Sequence, residues 1–341
     1  MDLSTRYLGL DLRNPLVASA SPLSNTVDGV RRLADAGVGA VVLYSLFEEQ
    51  LRREAAHDAA LSEAGTDSFA ESLSYFPAGA EGGPGPHRYL SLLERAAAAV
   101  DVPVIASLNG TSPGGWTDYA KALADAGAAA IELNIYHLPG DPPPTSPSPF
   151  TGRDVEQRHV EILTTVKAVV RVPVAVKLSP YFSSTGEMAL RLDRAGADGL
   201  VLFNRFLQPD IDPETLTVTV PFGLSSPAEA RLPRAWIALL AGRVRASLAA
   251  TTGVEDSADV VKYLLAGADV VMTASALLRH GAGHASVLLG GLSEWMGRKR
   301  FAAITEFRGL LSVPADQDRA AYERAGYVTM MRAADRGSGP W

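Results

Sequence analysis

The 341-residue sequence contains no cysteine. Disulfides, thiolate metal sites and iron–sulfur clusters carried on this chain are therefore excluded. It also has no apolar run long enough to cross a bilayer. The opening residues, Met1-Asp-Leu-Ser-Thr-Arg6, lack the basic start and long apolar core of a signal peptide. From these absences we expect a cytoplasmic protein with no membrane partner.

The sequence also has fewer basic residues than acidic ones. The 31 lysines and arginines are outnumbered by 38 aspartates and glutamates, for a formal net charge of −7. An acidic chain is poorly suited to bind nucleic acid or an anionic membrane, so we expect neither as a partner. Hydrophobic residues, in contrast, make up 47% of the sequence, which is enough for a substantial globular core.

Four times the chain repeats one pattern, in which an amphipathic stretch ends in a small-residue turn and an apolar run follows. Glycine suits such a turn because the residue just past a helix commonly takes a positive φ. Each repeat predicts a helix that leads into a buried strand, and a series of such joints is typical of parallel sheets with helical crossovers. The repeats cover residues 33–43, 123–133, 192–202 and 264–272.

Further apolar runs between these joints bring the number of expected strands to eight. Eight βα units predict an α/β protein with a closed (β/α)8 TIM barrel, whose active site lies at the C-terminal strand ends. An open, doubly wound sheet is the alternative, disfavoured because no Gly-x-Gly-x-x-Gly follows the first strand. The strands are expected at 15–20, 39–44, 103–108, 129–135, 173–178, 198–203, 246–251 and 269–274.

The segments outside these units do not require a second folded domain. We expect a barrel over residues 1–311, with a long insertion at 45–90, and a C-terminal extension at 312–341. The insertion and the proline-rich segment 139–149 would both leave the C-terminal end of the barrel. Lids belong at that end, whereas surface excursions without a role are the alternative.

Polar side chains stand at the ends of the expected strands. Lys177 ends the fifth strand and requires an anion or a polarised oxygen nearby, unless it reaches out to solvent. Such a lysine suits a Schiff-base nucleophile, a phosphate clamp or a partner for the anionic edge of a flavin. Alternation places Glu132, Asn134 and Tyr136 on one side of the fourth strand. His137 follows in the loop as a candidate base, with a plain surface histidine as the alternative.

Small residues mark the turns after the seventh and eighth strands, namely Thr252, Gly253, Ala274 and Ser275. In many barrels these two loops bind phosphate through backbone N–H groups. The turns therefore indicate a phosphate site, although small residues there also serve packing alone.

In several of these motifs the sequence resembles the dihydroorotate dehydrogenases and their FMN-dependent relatives, over residues 3–310. The most specific match is Val176-Lys-Leu-Ser-Pro-Tyr-Phe182. The others are Asn14-Pro-Leu-Val-Ala-Ser-Ala-Ser-Pro22, Ile131-Glu-Leu-Asn-Ile135, Ile211-Asp-Pro-Glu214, Thr252-Gly-Val254 with Ala258-Asp259, and Ser275-Ala-Leu277.

The resemblance implies FMN at the barrel mouth, with its phosphate on the loops of Thr252, Gly253, Ala274 and Ser275. Lys177 would face the flavin N1/O2 edge, where a positive charge stabilises the reduced anionic flavin. Asn134 would hydrogen-bond flavin or substrate, and Ala20 and Ser21 would line the ring. The implied activity is oxidation or reduction of a C–C bond next to a carbonyl in dihydroorotate or a related small cyclic amide, within pyrimidine metabolism.

The substrate side departs from the family pattern. The family has a Ser-Cys-Pro-Asn-like segment, with a cysteine or serine base, where this chain has Tyr136-His-Leu-Pro139. His137 therefore falls on the base position and joins Lys177 and Asn134 as a catalytic candidate. Tyr136 and Ser74 are the candidate substrate contacts, since Ser74 lies near one of the family's substrate asparagines. Tyr44 replaces a lysine of the soluble class.

Two other functions remain open from the residues themselves. One is a flavin-free lyase or aldolase in which Lys177 forms a Schiff base, and the other is a flavin-binding barrel without catalysis. For an oxidoreductase, the missing cysteines favour a soluble electron acceptor or a separate redox subunit. A homodimer is a further option, and no metal site is predicted.

Overall fold

The computed structural model of the protein describes residues 1–48, 86–110, 113–136, 151–205, 209–219 and 223–314, and short pieces at 316–317, 324–325, 327–329 and 331–332. The strands in this part are β1 (Thr5–Tyr7), β2 (Leu10–Leu12), β3 (Leu16–Ala18), β4 (Ala40–Phe47), β5 (Val104–Asn109), β6 (Ala130–Asn134), β7 (Val174–Leu178), β8 (Gly199–Leu202), β9 (Asp210–Asp212), β10 (Thr217–Thr219), β11 (Ser247–Ala250) and β12 (Val270–Thr273). The helices are α1 (Val27–Asp35), α2 (Pro86–Ala99), α3 (Pro113–Asp125), α4 (Gly152–Lys167), α5 (Thr185–Arg194), α6 (Arg231–Leu240), α7 (Ser257–Ala266), α8 (Ser275–His280) and α9 (His284–Lys299).

Eight parallel strands close into a barrel in the order β3-β4-β5-β6-β7-β8-β11-β12, with β12 paired back to β3. Each coincides with one predicted strand, so the TIM barrel is confirmed and the open sheet is wrong. Most strands end a residue or two inside the predicted limits. Two strands extend past those limits: β5 ends at Asn109, one residue beyond, and β4 runs on to Phe47 and shifts register against β5 between Val42 and Ser45.

The repeated glycines occupy the turns that the pattern required. Gly37, Gly127, Gly196 and Gly267 all have positive φ, between 91° and 113°. An L-residue with a side chain is strained there, so glycine lets each helix end and the chain enter the next strand directly. The opposite ends of α4 and α7 are set by capping boxes, in which Thr151 and Asp256 exchange hydrogen bonds with the aspartate three residues later.

A short hairpin of β1 and β2 seals the N-terminal end of the barrel. Its buried side chains Tyr7, Leu8 and Leu12 pack among inward residues of the barrel strands. Leu8 N donates to Ser247 Oγ at 3.1 Å, and a Cβ on Gly199 would lie 2.5 Å from a Leu8 methyl. The hairpin side chains therefore fill the N-terminal end of the barrel interior, and the C-terminal mouth is left for a site.

The predicted insertion is described only at its ends, since residues 49–85 lie outside the described residues, as does segment 139–149. After β8 the chain forms a second hairpin, β9–β10, which the sequence analysis did not anticipate. The division into barrel, insertion and C-terminal extension stays a prediction. Within the described ranges, no helix combines the length and the apolar character needed to span a membrane.

Candidate active site

The C-terminal strand ends surround a cavity of about 280 Å³. It lies where barrel topology predicts the active site. Its walls come from the ends of β4, β6, β7, β8, β11 and β12 and from the loop after β3. The lining residues are Ser19, Ala20, Ser45, Phe47, Asn134, Tyr136, Lys177, Phe203, Asn204, Arg205, Ser225, Thr251, Thr252, Gly253, Val254, Met272, Thr273, Ala274 and Ser275.

A buried ion pair lies at the inner end of this cavity. Lys177 Nζ on β7 is 3.4 Å from Glu132 Oε1 on β6, and the two side chains are only 11% and 1% exposed. Both point inward because they alternate with residues that face the helices. Lys177 therefore does not reach out to solvent. Its Nζ is instead held beside a carboxylate at the inner end of the cavity.

Beside this pair, a separate chain of hydrogen bonds runs across the barrel mouth. Asn134 Nδ2 donates to Ser45 Oγ at 3.2 Å, and Ser45 Oγ lies 2.8 Å from Ser107 Oγ. Asn134 Oδ1 is buried and has no hydrogen-bond partner among the described residues. One amide acceptor is thus left for a ligand.

The register shift in β4 decides which residue of that strand faces the cavity. Ser45 lines it, whereas the Tyr44 ring packs edge-on against Tyr89 of α2, with centroids 5.0 Å apart. Tyr89 Oη donates to Tyr44 O at 3.0 Å and accepts from Ser107 N at 3.3 Å. Burial raises the pKa of Tyr89, so the phenol keeps the proton it donates. A bulge re-aims side chains, so Tyr44 is not a lining residue.

The loops after β11 and β12, predicted to hold phosphate, come together at the mouth. Thr252 and Gly253 both have positive φ, at 79° and 70°. Ser225 ties the loops together: its hydroxyl accepts from Gly253 N at 3.2 Å and donates to Ser275 Oγ at 2.9 Å. From outside, Tyr263 Oη donates to Thr252 O at 2.7 Å. The turn is therefore held from both sides.

The loop after β3 departs in detail from what the resemblance implies. Ala20 lines the cavity, and Ser19 lines it as well. The Ser21 hydroxyl instead accepts from Leu23 N at 3.3 Å and begins the short 3-10 turn Pro22–Ser24. Ser21 is not among the lining residues, and its contact with a flavin stays a prediction.

The residues that follow β8 were not among the predicted site residues. Asn204 is buried, and its Nδ2 has no partner in the part of the chain that the structure describes. Arg205 at the rim donates from Nε to Glu229 Oε1 at 2.9 Å. Burial alone would raise the pKa of Glu229, but hydrogen bonds from Ser226 N and Arg205 hold it below its usual value. A polar residue directly after an apolar strand, the signal used for Lys177, would have identified Asn204.

The residues proposed for proton transfer and substrate binding are only partly described. Tyr136 lines the cavity at its outer edge and is 43% exposed. His137 and Ser74 lie outside the described residues, so their roles stay predictions. The cavity therefore combines a lysine paired with a carboxylate, two buried asparagines, and two small-residue loops linked by hydrogen bonds. Each asparagine has one amide atom without a partner among the described residues.

Known proteins resemble this chain over nearly its whole length. A family model described as dihydroorotate dehydrogenase matches residues 2–296. The catalytic subunit of dihydroorotate dehydrogenase B (NAD(+)) from Methanocella arvoryzae is 29% identical over 304 residues, 88% of this chain and 94% of that protein. Its counterpart from Pyrococcus abyssi is 27% identical over 316 residues, covering 90% and 98%. A putative dihydroorotate dehydrogenase A (fumarate) from Aeropyrum pernix is also 27% identical over 316 residues, covering 90% and 97%.

Proposed function

The chain belongs to the dihydroorotate dehydrogenase family, and on this premise we propose that it is an FMN-dependent oxidoreductase. Its reaction would be the oxidation of a C–C bond next to a carbonyl, in dihydroorotate or a related small cyclic amide. One observation carries the proposal: Lys177, Asn134 and the loops of Thr252 and Ala274 line a single cavity at the barrel mouth.

The residues of this cavity suit the chemistry of FMN. The pyrimidine edge of a flavin offers both acceptors and an N–H donor, which complement the free Asn204 Nδ2 and Asn134 Oδ1. The turn at Thr252 and Gly253 and the turn at Ala274 and Ser275 would hold the single phosphate. Since no second nucleotide motif is visible, FMN is favoured over FAD. When bound, FMN would supply the acceptor for the hydride that leaves the substrate carbon.

The chain's own residues would divide the work as follows. Lys177 would present its ammonium to the flavin N1/O2 edge, and Asn134 would hydrogen-bond flavin or substrate. Ala20 and Ser21 would lie along the ring. Tyr136 and Ser74 would contact the substrate, and His137 would take the proton from substrate carbon, because it occupies the family's base position.

The electron acceptor is proposed from the relatives and from composition together. Two of the relatives are named as catalytic subunits of NAD(+)-dependent enzymes, and one is named for fumarate. This chain has no cysteine for an iron–sulfur relay of its own. We therefore propose a separate redox subunit or a soluble acceptor, with homodimerisation and a cytoplasmic location as further parts of the proposal.

The absorption spectrum of the purified protein, with mass identification of the released cofactor, tests the proposal directly. The expected result is FMN, followed by bleaching of the flavin bands when dihydroorotate is added without oxygen. Recovery of FAD, or no binding after reconstitution with excess FMN, would refute the cofactor assignment. FMN that no cyclic amide reduces, although photoreduction succeeds, would favour a barrel without catalysis.

A further inference from the structure

Glu132 lies one layer deeper in the barrel than the residues that line the mouth. In the register of β6 and β7, Asn134 pairs with Lys177, whereas Glu132 pairs with Ala175. The Lys177 side chain therefore turns back into the barrel to bring Nζ within 3.4 Å of Glu132 Oε1. Glu132 thus contacts the ammonium, although it is absent from the cavity lining.

Three neutral side chains also lie around Glu132. Tyr7 stands below from β1 and Tyr89 outside from α2, and both are buried phenols. Burial, reinforced by the negative charge of Glu132, raises the pKa of Tyr7, so this neighbour stays neutral. On β5, Ser107 pairs with Glu132 in register and is also neutral. Among the described residues, Lys177 is the cation paired with Glu132, so the pair has no net charge.

Glu132 Oε2 is buried without a hydrogen-bond partner in the described part of the chain. A carboxylate that accepts few hydrogen bonds in a dry interior keeps its charge poorly screened. Its field therefore reaches the mouth and opposes that of the ammonium.

We propose that Glu132 is a positioning residue that sets the charge Lys177 presents to a bound flavin. The inference rests on the proposed function, in which FMN lies beside Lys177. In the proposed reaction, one substrate carbon would lose a hydride to the flavin, its neighbour would lose a proton to the base, and the flavin would gain one negative charge. Lys177 favours that charge and Glu132 opposes it, so Glu132 keeps the reduction potential of the flavin lower than Lys177 alone would.

Sulfite measures this charge effect without turnover. Its sulfur lone pair forms a bond to N5 of oxidised flavin, no group leaves, and the displaced electron pair moves to the N1/O2 edge. A positive field at that edge therefore tightens sulfite binding, which is followed by loss of flavin absorbance. Glu132→Gln should bind sulfite about tenfold more tightly than wild type, because it removes an opposing charge in a low-dielectric interior. Lys177→Met should bind it about tenfold more weakly.

Two comparisons distinguish this role from general destabilisation of the protein. Asp193→Asn is the matched control, because Asp193 is also a buried acid, but its carboxylate accepts from Arg245 N and Ala246 N below β11. That point lies five residues before Thr251, roughly 16 Å along a strand. The control should leave sulfite affinity unchanged. The double variant Glu132→Gln with Lys177→Met should bind sulfite more tightly than Lys177→Met alone, which tests Glu132 even if its single variant folds poorly.

The reduction potential, measured by equilibration with a redox dye, should rise in Glu132→Gln and fall in Lys177→Met. If FMN binds but neither potential nor sulfite affinity changes when Glu132 is neutralised, the inference is wrong and the proposed function stands. A change in the same direction as Lys177→Met would also overturn it. Wild-type protein that binds no FMN would overturn the proposed function itself.

Discussion

Replacing Gly253 with alanine should destabilise the protein more than the same replacement at Gly127. Both glycines have positive φ, 70° at Gly253 and 91° at Gly127. An alanine in this region costs roughly 1–2 kcal/mol relative to an ordinary backbone conformation. The two variants share that cost, so the difference between their free energies of unfolding reports the space around the new methyl group.

The surroundings of the two positions are opposite. A Cβ on Gly253 would lie 2.7 Å from both Ala230 N and Ser226 O, whereas a Cβ on Gly127 would meet nothing within 4 Å. Backbone atoms at that distance must move, and such overpacking typically costs about 1–3 kcal/mol in addition to the backbone cost. We therefore expect a total of about 2–5 kcal/mol at Gly253, against about 1–2 kcal/mol at Gly127.

Urea unfolding gives both free energies, and flavin fluorescence quenching gives the affinity for FMN. The displaced backbone includes the turn proposed to hold the phosphate, so Gly253→Ala should also weaken FMN binding. Gly127→Ala should leave that affinity unchanged, because Gly127 lies before β6 at the opposite end of the barrel. A Gly253→Ala protein as stable as Gly127→Ala, with wild-type affinity for FMN, would refute the close packing described for this turn.

Three further predictions follow from the site. Lys177→Met leaves Glu132 buried without its cation and should lower the free energy of unfolding in urea by about 3–5 kcal/mol. Adding Glu132→Gln should recover most of that loss, and no recovery would contradict the ion pair. His137→Ala should slow flavin reduction by about 10²–10⁴-fold in stopped-flow mixing, with FMN still bound. The wild-type rate should rise with pH as the base loses its proton. A His137→Ala protein with the wild-type rate would exclude this base. The lowered pKa of Glu229 means that the hydrogen bonds it accepts from Ser226 N and Arg205 stabilise the fold above the unfolded-state value of about 4.5, and this contribution is lost as pH falls. Glu229→Gln should therefore flatten the acid side of the stability profile, by well under ~1 kcal/mol because the pair is partly exposed, and an identical profile would argue against it.

The sequence alone determined the barrel. Its strands are short and buried on both faces, so each appears in the sequence as a largely apolar run. The turns before four of them need a positive φ, and glycine marks those turns within a few residues of the strand. Both signals are local, and the number and order of strands could therefore be predicted. The positions of Lys177, Asn134, Thr252 and Gly253 at strand ends followed from the same local signals.

Only the tertiary structure decided which side chains meet. The register shift in β4 turns Ser45 rather than Tyr44 into the cavity, and it is visible only in the pairing of β4 with β5. Ser225 links two loops from a position 50 residues before Ser275. Glu132 pairs with Lys177 across 45 residues of chain. Such contacts depend on strand register and barrel closure, which no local pattern of residues encodes, because they arise only when distant segments pack together.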